Sequence, residues 1–366
     1  MRILGNEEEN MTHLKKLAAA MSVAALVAGP AQAETYNLTV AAAQPTRALP
    51  SLAAVEDFFV PEVNRRLQEM GSEHEIKFRE AYAGSLIRPR QVLQGVRDGL
   101  ADIGYVPVIF HPDKLPLEQI SFVTPFCSTD VAKVAAAMDK VYETVPAMAE
   151  QYSAFNQVRL AGTAVDSYEL HSAEPVRSYE DLAGLKIGAP GGALNWMRGT
   201  ELTPVSSNMM EYYNSVKTGV YDGFLVMAST IFGMKYPEVA PYITKVDFGS
   251  PYVAVLTMNK DSLAGLPPEV QDVIWAVAAD YQVVANEAYQ TAGNTALERL
   301  TEWENGEVIS FDDADRVAWA NALPNLAKEW AEGIDAMGLP GSEAMRTYLN
   351  ALAESGESCV RDWLAD

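Results

Sequence analysis

The sequence predicts an α/β protein built as two lobes. Strand-like and helix-like segments alternate along the chain, as in parallel sheets with crossover helices. The roughly 330 residues after Ala33 exceed one comfortable hydrophobic core. Several extended segments suit a crossing from one lobe to the other, as in a hinged binding protein. An apolar content of 49% is ordinary for a globular chain.

The elements follow in order. From Met11 the chain carries Lys15 and Lys16, then a short apolar run from Leu17 to Val27, then Ala31-Gln32-Ala33. That is the layout of a secretory signal peptide, with cleavage expected after Ala33 and export to the periplasm. The run is shorter than the roughly 20 residues a bilayer span needs. The ten residues before Met11 read as an upstream extension. Tyr36 to Ala42 alternates and is rich in β-formers, so a strand is expected, broken at Gln44-Pro45. Leu52 to Met70 has helical periodicity, and Glu75 to Arg79 is a second strand. Arg88 to Asp98 reads as a helix stopped by Gly99, and Ala101 to Val108 as a third strand. Asp130 to Tyr152 reads as a helix, with Thr129 as N-cap and a kink at Pro146. Strands are expected at Val158 to Val165, Leu185 to Ile187 and Tyr221 to Val226, and a helix at Met209 to Thr218. An extended segment lies within Lys245 to Asn259. A long helix starts at Pro267-Pro268 and runs past Leu300. Helices around Ala314 to Gly333 and Ser342 to Leu352 close the chain.

Charge and motifs narrow the function. The net charge of −22 disfavours nucleic acid and anionic membrane surfaces as partners. It suits solubility first, and concentration of a cationic ligand second. Cys127 and Cys359 have no metal-ligand spacing; a disulfide and two unpaired thiols both remain open. No nucleophile elbow, P-loop, zinc-protease motif or dinucleotide fingerprint is present. His74, His111 and His171 are far apart in the chain. The expectation is therefore no enzyme, no cofactor and no metal. In open α/β sheets ligands sit beyond the carboxyl ends of strands. Gln44, Tyr105 and Gly188 to Gly191 fall at such ends.

An ordered set of short pieces then points to a family. Tyr82-Ala83-Gly84-Ser85-Leu86 follows the second strand, and Val96-x-x-Gly99-x-x-Asp102-Ile103 leads into the third. Leu115-Pro116-Leu117, Thr124-Pro125-Phe126 and Asp181-Leu182-x-Gly184-Leu185-Lys186-Ile187 come next. Then come Pro204-Val205 and Glu211-x-Tyr213-x-x-Val216-x-x-Gly219-Val220-x-Asp222-Gly223. Met258-Asn259 and Leu266-Pro267-x-x-Val270-Gln271 complete the order. The chain resembles the DctP-type solute-binding proteins of tripartite ATP-independent periplasmic (TRAP) transporters, over nearly all of it after the leader. The resemblance implies a periplasmic-binding-protein architecture with hinge strands and a long helix bracing both lobes. Lobe 1 is expected from residues 34–164 plus about 250–275, and lobe 2 from 165–249 plus about 276–366. It also implies capture of a small molecule by hinge closure and delivery to a small and a large membrane subunit. Family ligands are usually small organic acids.

The chain departs from the family at one informative place. The family motif reads Gly-Leu-Lys-Ile-Arg, its arginine holding the ligand carboxylate; here Gly188 follows Ile187. A second arginine of some members would fall near Tyr168 and is also absent. Glycine does not replace a planar guanidinium fork. A neutral or cationic ligand, such as an ethanolamine-like amine, therefore ranks slightly ahead. Glu169 would supply the anion, and Tyr168, Trp196, Phe224 and Tyr252 the aromatic faces. The second option is a small organic acid bound through Arg88, Arg90 or Arg198; loss of binding ranks last. Gln44 is a pocket candidate because its amide both donates and accepts. Asn208 and Met209 lie where family members place a pocket residue. Trp196 reads equally well as lobe packing, and Arg88 more readily as surface. A secreted enzyme or a periplasmic sensor module are the alternative classes.

Overall fold

The computed structural model describes residues 34–365. The leader and its cleavage site, read in residues 1–33, lie outside them. Eleven strands are present among the described residues: β1 (Thr35–Ala41), β2 (Glu75–Ala81), β3 (Ile103–Pro107), β4 (Gln157–Ala164), β5 (Tyr168–Ser172), β6 (Lys186–Ala189), β7 (Thr203–Ser206), β8 (Gly223–Met227), β9 (Tyr242–Lys245), β10 (Tyr252–Asn259) and β11 (Glu307–Ser310). They form two sheets, one in the order β2-β1-β3-β10-β4 and one in the order β11-β9-β5-β8-β6-β7. In the first, β1 runs parallel to β2 and β3, and β10 returns antiparallel between β3 and β4. In the second, β6 runs parallel to β7 and β8, while β5 is antiparallel to β8 and β9. Every residue of β3, β5, β8 and β10 is buried, as expected of strands covered on both faces. The fold is the expected two-lobe α/β architecture.

A 34-residue helix, Pro268–Thr301, braces both lobes. At 1.5 Å per residue it is about 50 Å long. It packs against β4 and the helix Pro50–Ala54 on the first-sheet side, and against Ala228–Thr230 and β11 on the second-sheet side. Elsewhere prolines cut expected helices in two. Val131–Thr144 and Ala147–Ser153 are separated at Pro146, and Asp313–Ala322 and Leu326–Ala336 at Pro324. The N-cap of Val131–Thr144 is Asp130 rather than Thr129; its carboxylate accepts from the Lys133 N–H at 3.0 Å.

The lobes are joined where residues 165–167 cross from β4 to β5 and residues 246–251 return from β9 to β10. The two crossings are laced together. Val165 N–H donates to the Pro251 carbonyl (3.0 Å), and Tyr168 N–H to the Gly249 carbonyl (3.1 Å). Asp166 is buried in this crossing. One carboxylate oxygen accepts from the Ser229 N–H at 2.9 Å, and the other has no partner. Gly293 of the long helix makes the approach possible: a Cβ there would lie 2.5 Å from that carboxylate.

Burial pushes the Asp166 carboxyl up to about 7. The same cause lifts Glu118, buried beside Tyr142, to about 7. A carboxyl raised in the folded state stabilises the fold below its unfolded pKa, near 4, and that stability is lost as pH rises through 7. Asp166→Asn keeps an acceptor and removes the titration. Its unfolding midpoint is expected to fall less than that of the parent chain between pH 5 and pH 8. Parallel melting curves for the two proteins would discard the assignment.

Cys127 and Cys359 form a disulfide across 232 residues. Helix Gly341–Glu354 packs on Val131–Thr144, and Val360 N–H donates to the Phe126 carbonyl at 2.9 Å. The C-terminal segment therefore lies with the first-sheet lobe. The division read from sequence placed it in the second, because nothing local reveals which lobe a terminal helix docks on.

Candidate ligand-binding cleft

A cleft of about 790 Å³ lies between the sheets. It opens at the carboxyl ends of β1, β2, β6, β7 and β8, where open α/β sheets place ligands. From the first lobe come Ala43, Gln44 and Pro45 after β1, Ala83 after β2, then Arg88, Arg90, Gln91 and Phe110. From the second come Pro190 and Gly191 after β6, Ser206 at the end of β7 and Ser207 to Tyr212 after it, and Val226 and Met227 at the end of β8. Tyr168, the first residue of β5, sits at the hinge between the two walls.

The loop after β2 is folded back on β1. Ala83 N–H donates to the Gln44 carbonyl at 3.0 Å, and Ala83 takes a positive φ of 57°. This holds Gln44 at the rim, where its Oε1 is buried without a partner. A buried acceptor left unpaired costs free energy until a donor reaches it. Arg88 is kept extended (φ −78°, ψ 158°) by the proline after it. The Arg90 guanidinium lies over the Phe110 ring, 5.2 Å from its centroid. Among the described residues, no carboxylate pairs with Arg88 or Arg90, whereas Arg198 is engaged by Glu329 at 2.6 Å. On the opposite wall the Asn208 Oδ1 accepts from the Met210 N–H (3.0 Å), and the Met209 carbonyl accepts from the Tyr236 hydroxyl (2.5 Å). Ser207 Oγ donates to the Glu211 carboxylate at 2.9 Å.

Of the residues singled out from sequence, Gln44, Arg88, Tyr168, Asn208 and Met209 meet at this cleft. The others lie in the interior. Tyr105 bonds through its hydroxyl to Ser51 Oγ (2.6 Å), which joins Tyr289 of the long helix. Glu169 is 1% exposed and accepts from the Asp247 N–H at 2.9 Å; burial, then the nearby Asp247 charge, holds its carboxyl well above the usual range. Trp196 donates to the Phe122 carbonyl (2.7 Å) and stacks between Phe122 and Phe248. Phe224 is stacked between His171 and Tyr212. Tyr252 accepts from Arg159 (2.8 Å) and lies over Gly162 of β4. Gly188 faces the ring of Tyr221, and any Cβ there would meet it at 2.8 Å. The ammonium cage expected around Glu169 is therefore not assembled: its anion and three of its four aromatic faces belong to the core. Sequence reading missed Phe110, Ser206, Ser207, Tyr212 and Met227 as cleft residues; each lies at a strand end or within a few residues of one.

The family model for bacterial extracellular solute-binding protein, family 7 (DctP) matches residues 55–333. The chain belongs to this DctP family. The C4-dicarboxylate-binding periplasmic protein DctP of Rhodobacter capsulatus is 26% identical over 182 residues, 49% of this chain and 53% of that one. The matched stretch spans about half the length of the curated relatives. A TRAP periplasmic solute-binding protein of Desulfovibrio salexigens, in an open complex, superposes with a TM-score of 0.75 at 21% identity, covering 90% of this chain and 98% of that one. One from Bordetella bronchiseptica with bound (R)- and (S)-mandelate superposes at 0.72 and 22% identity, covering 87% and 99%. Both show the same fold.

Proposed function

We propose that this DctP-family chain is the solute-binding subunit of a TRAP transporter and that its ligand is a small organic acid. It works in the periplasm, closes its lobes over the ligand and presents the closed form to a small and a large membrane subunit. The chain does no chemistry on what it carries. The observation that carries the ligand class is the pair Arg88 and Arg90, two cations without carboxylate partners on the wall of the cleft. Planar guanidinium forks match carboxylate oxygens two at a time. The two lobes, the laced crossings and the bracing helix support a closing motion, since a ligand that touches both walls favours the closed state. A C4-dicarboxylate protein and a mandelate complex among the similar proteins agree with an acid. The amine reading loses its support with the burial of Glu169.

A thermal-shift panel tests this directly, using succinate, (R)-mandelate, benzoate and ethanolamine against residues 34–366. An acid at 100 times its Kd adds about 2.7 kcal/mol to the folded state. At least one acid is expected to raise the midpoint. A shift by ethanolamine with none by any acid would overturn the proposal.

A further inference from the structure

Gly188 has no side chain, and the structure shows what takes the room beside it. It pairs in register with Phe224 across β6 and β8, so the two residues share a face of the sheet. Tyr212, which lines the cleft, stacks on Phe224 of that face, and Val226, two residues farther along β8, reaches the cleft itself. A long side chain at 188 would grow along this face toward the ligand. Tyr221 stands in its way. Its ring atoms would lie 2.8 to 3.1 Å from a Cβ at 188, and the ring is 2% exposed. Its hydroxyl is 3.1 Å from Ser207 Oγ, which donates to Glu211. Tyr221 thus fills the space above Gly188 and ends in a hydroxyl–hydroxyl–carboxylate chain at the cleft wall.

We infer that Tyr221 is a specificity-determining residue acting through Ser207 and Glu211, and that it selects acids with a single carboxylate. The cations, Arg88 and Arg90, lie on one wall only. The facing wall offers hydroxyls and the Glu211 carboxylate, which repel a second carboxylate and accept from donors on the far end of the ligand. The buried Gln44 Oε1 calls for a donor as well. The class indicated is a hydroxylated monocarboxylate rather than a dicarboxylate. This rests on the acid reading above.

The test uses the full chain, Gly188→Arg, Tyr221→Ser and the double variant, with (R)-mandelate and succinate as probes. In the absence of ligand, Gly188→Arg is expected to lower the unfolding midpoint in the parent chain and to lower it less when Tyr221 is serine. In binding, the parent prefers mandelate over succinate, and the double variant shifts that ratio toward succinate by at least about tenfold, through a second guanidinium–carboxylate pair. Equal midpoint losses in the two backgrounds would show that Tyr221 does not occupy the space, and would overturn the inference whatever the ligand. An unchanged ratio in the double variant would overturn it too. Absence of binding by either acid in the parent, with the midpoint coupling intact, would instead count against the acid reading and the selectivity built on it.

Discussion

Replacing Arg88 and Arg90 together by alanine is expected to weaken acid binding at least about 100-fold. Hydrogen bonds to charged groups contribute roughly 1.5–3 kcal/mol each, and about 1.4 kcal/mol is a factor of ten, so two lost contacts suffice. Both side chains are exposed, and neither forms an ion pair among the described residues. Without ligand the double variant should therefore melt close to the parent, losing no more than the roughly 0.5–1 kcal/mol of an exposed contact such as Arg90 over Phe110. That separates lost recognition from lost fold. Lysine at either position should restore only part of the affinity, because an ammonium is a point charge and not a fork. Titration calorimetry with whichever acid raises the melting midpoint gives the answer. An affinity equal to the parent's in the alanine pair would remove these arginines from the site and leave Gln44, Tyr168 and the second-lobe wall to hold the ligand.

The part of this site that could be read from sequence is the part fixed by strand ends. Gln44 precedes a proline just after β1, so the topological rule sends it to the cleft, whereas Asn208 and Met209 come from the family resemblance alone. What could not be read is side-chain direction on strands that were themselves not foreseen. β5 is five residues long and wholly buried, with no alternation to mark it. Once it is a strand, neighbours on it point to opposite sides. Tyr168 faces the cleft, so Glu169 must turn inward to the Asp247 N–H. A different limit placed aromatic residues in the pocket. Trp196, Phe224 and Tyr252 are large enough that only tertiary packing decides between cleft and core, and here the core takes all three. Gly188 sits against the ring of Tyr221, which lies 33 positions later on another strand's approach, a pairing that no local pattern encodes. The short edge strands β7 and β11 escaped for a related reason: four residues are too few to show an alternation, and β7 is mostly exposed.

The disulfide carries the second large effect. In the chain-entropy picture a closed loop of the observed 232-residue separation stabilises by about 5 kcal/mol, and removing a native disulfide typically costs 2–5 kcal/mol. Its position adds a consequence beyond stability. Cys127 lies between Phe126, whose N–H donates to the Phe248 carbonyl (2.6 Å), and Ser128, whose carbonyl accepts from the Ser250 N–H (2.7 Å). Residues 126–128 therefore run alongside the returning crossing, and the disulfide ties them to the C-terminal segment. That segment is itself held by Trp363 donating to the Pro125 carbonyl at 2.9 Å. Cys127→Ala with Cys359→Ala is expected to lower the denaturant midpoint and to speed hydrogen exchange at 248–250, ahead of exchange in β1 or β3. Neither cysteine lines the cleft, so the acid Kd should move less than about tenfold, within the 1.4 kcal/mol of that factor. The parent chain treated with reductant should reproduce the variant. A midpoint unmoved by either treatment would mean that the C-terminal segment holds its place through packing and hydrogen bonds alone. Uniform exchange across the first sheet, with no excess at 248–250, would instead make the disulfide a global staple with no special hold on the crossing.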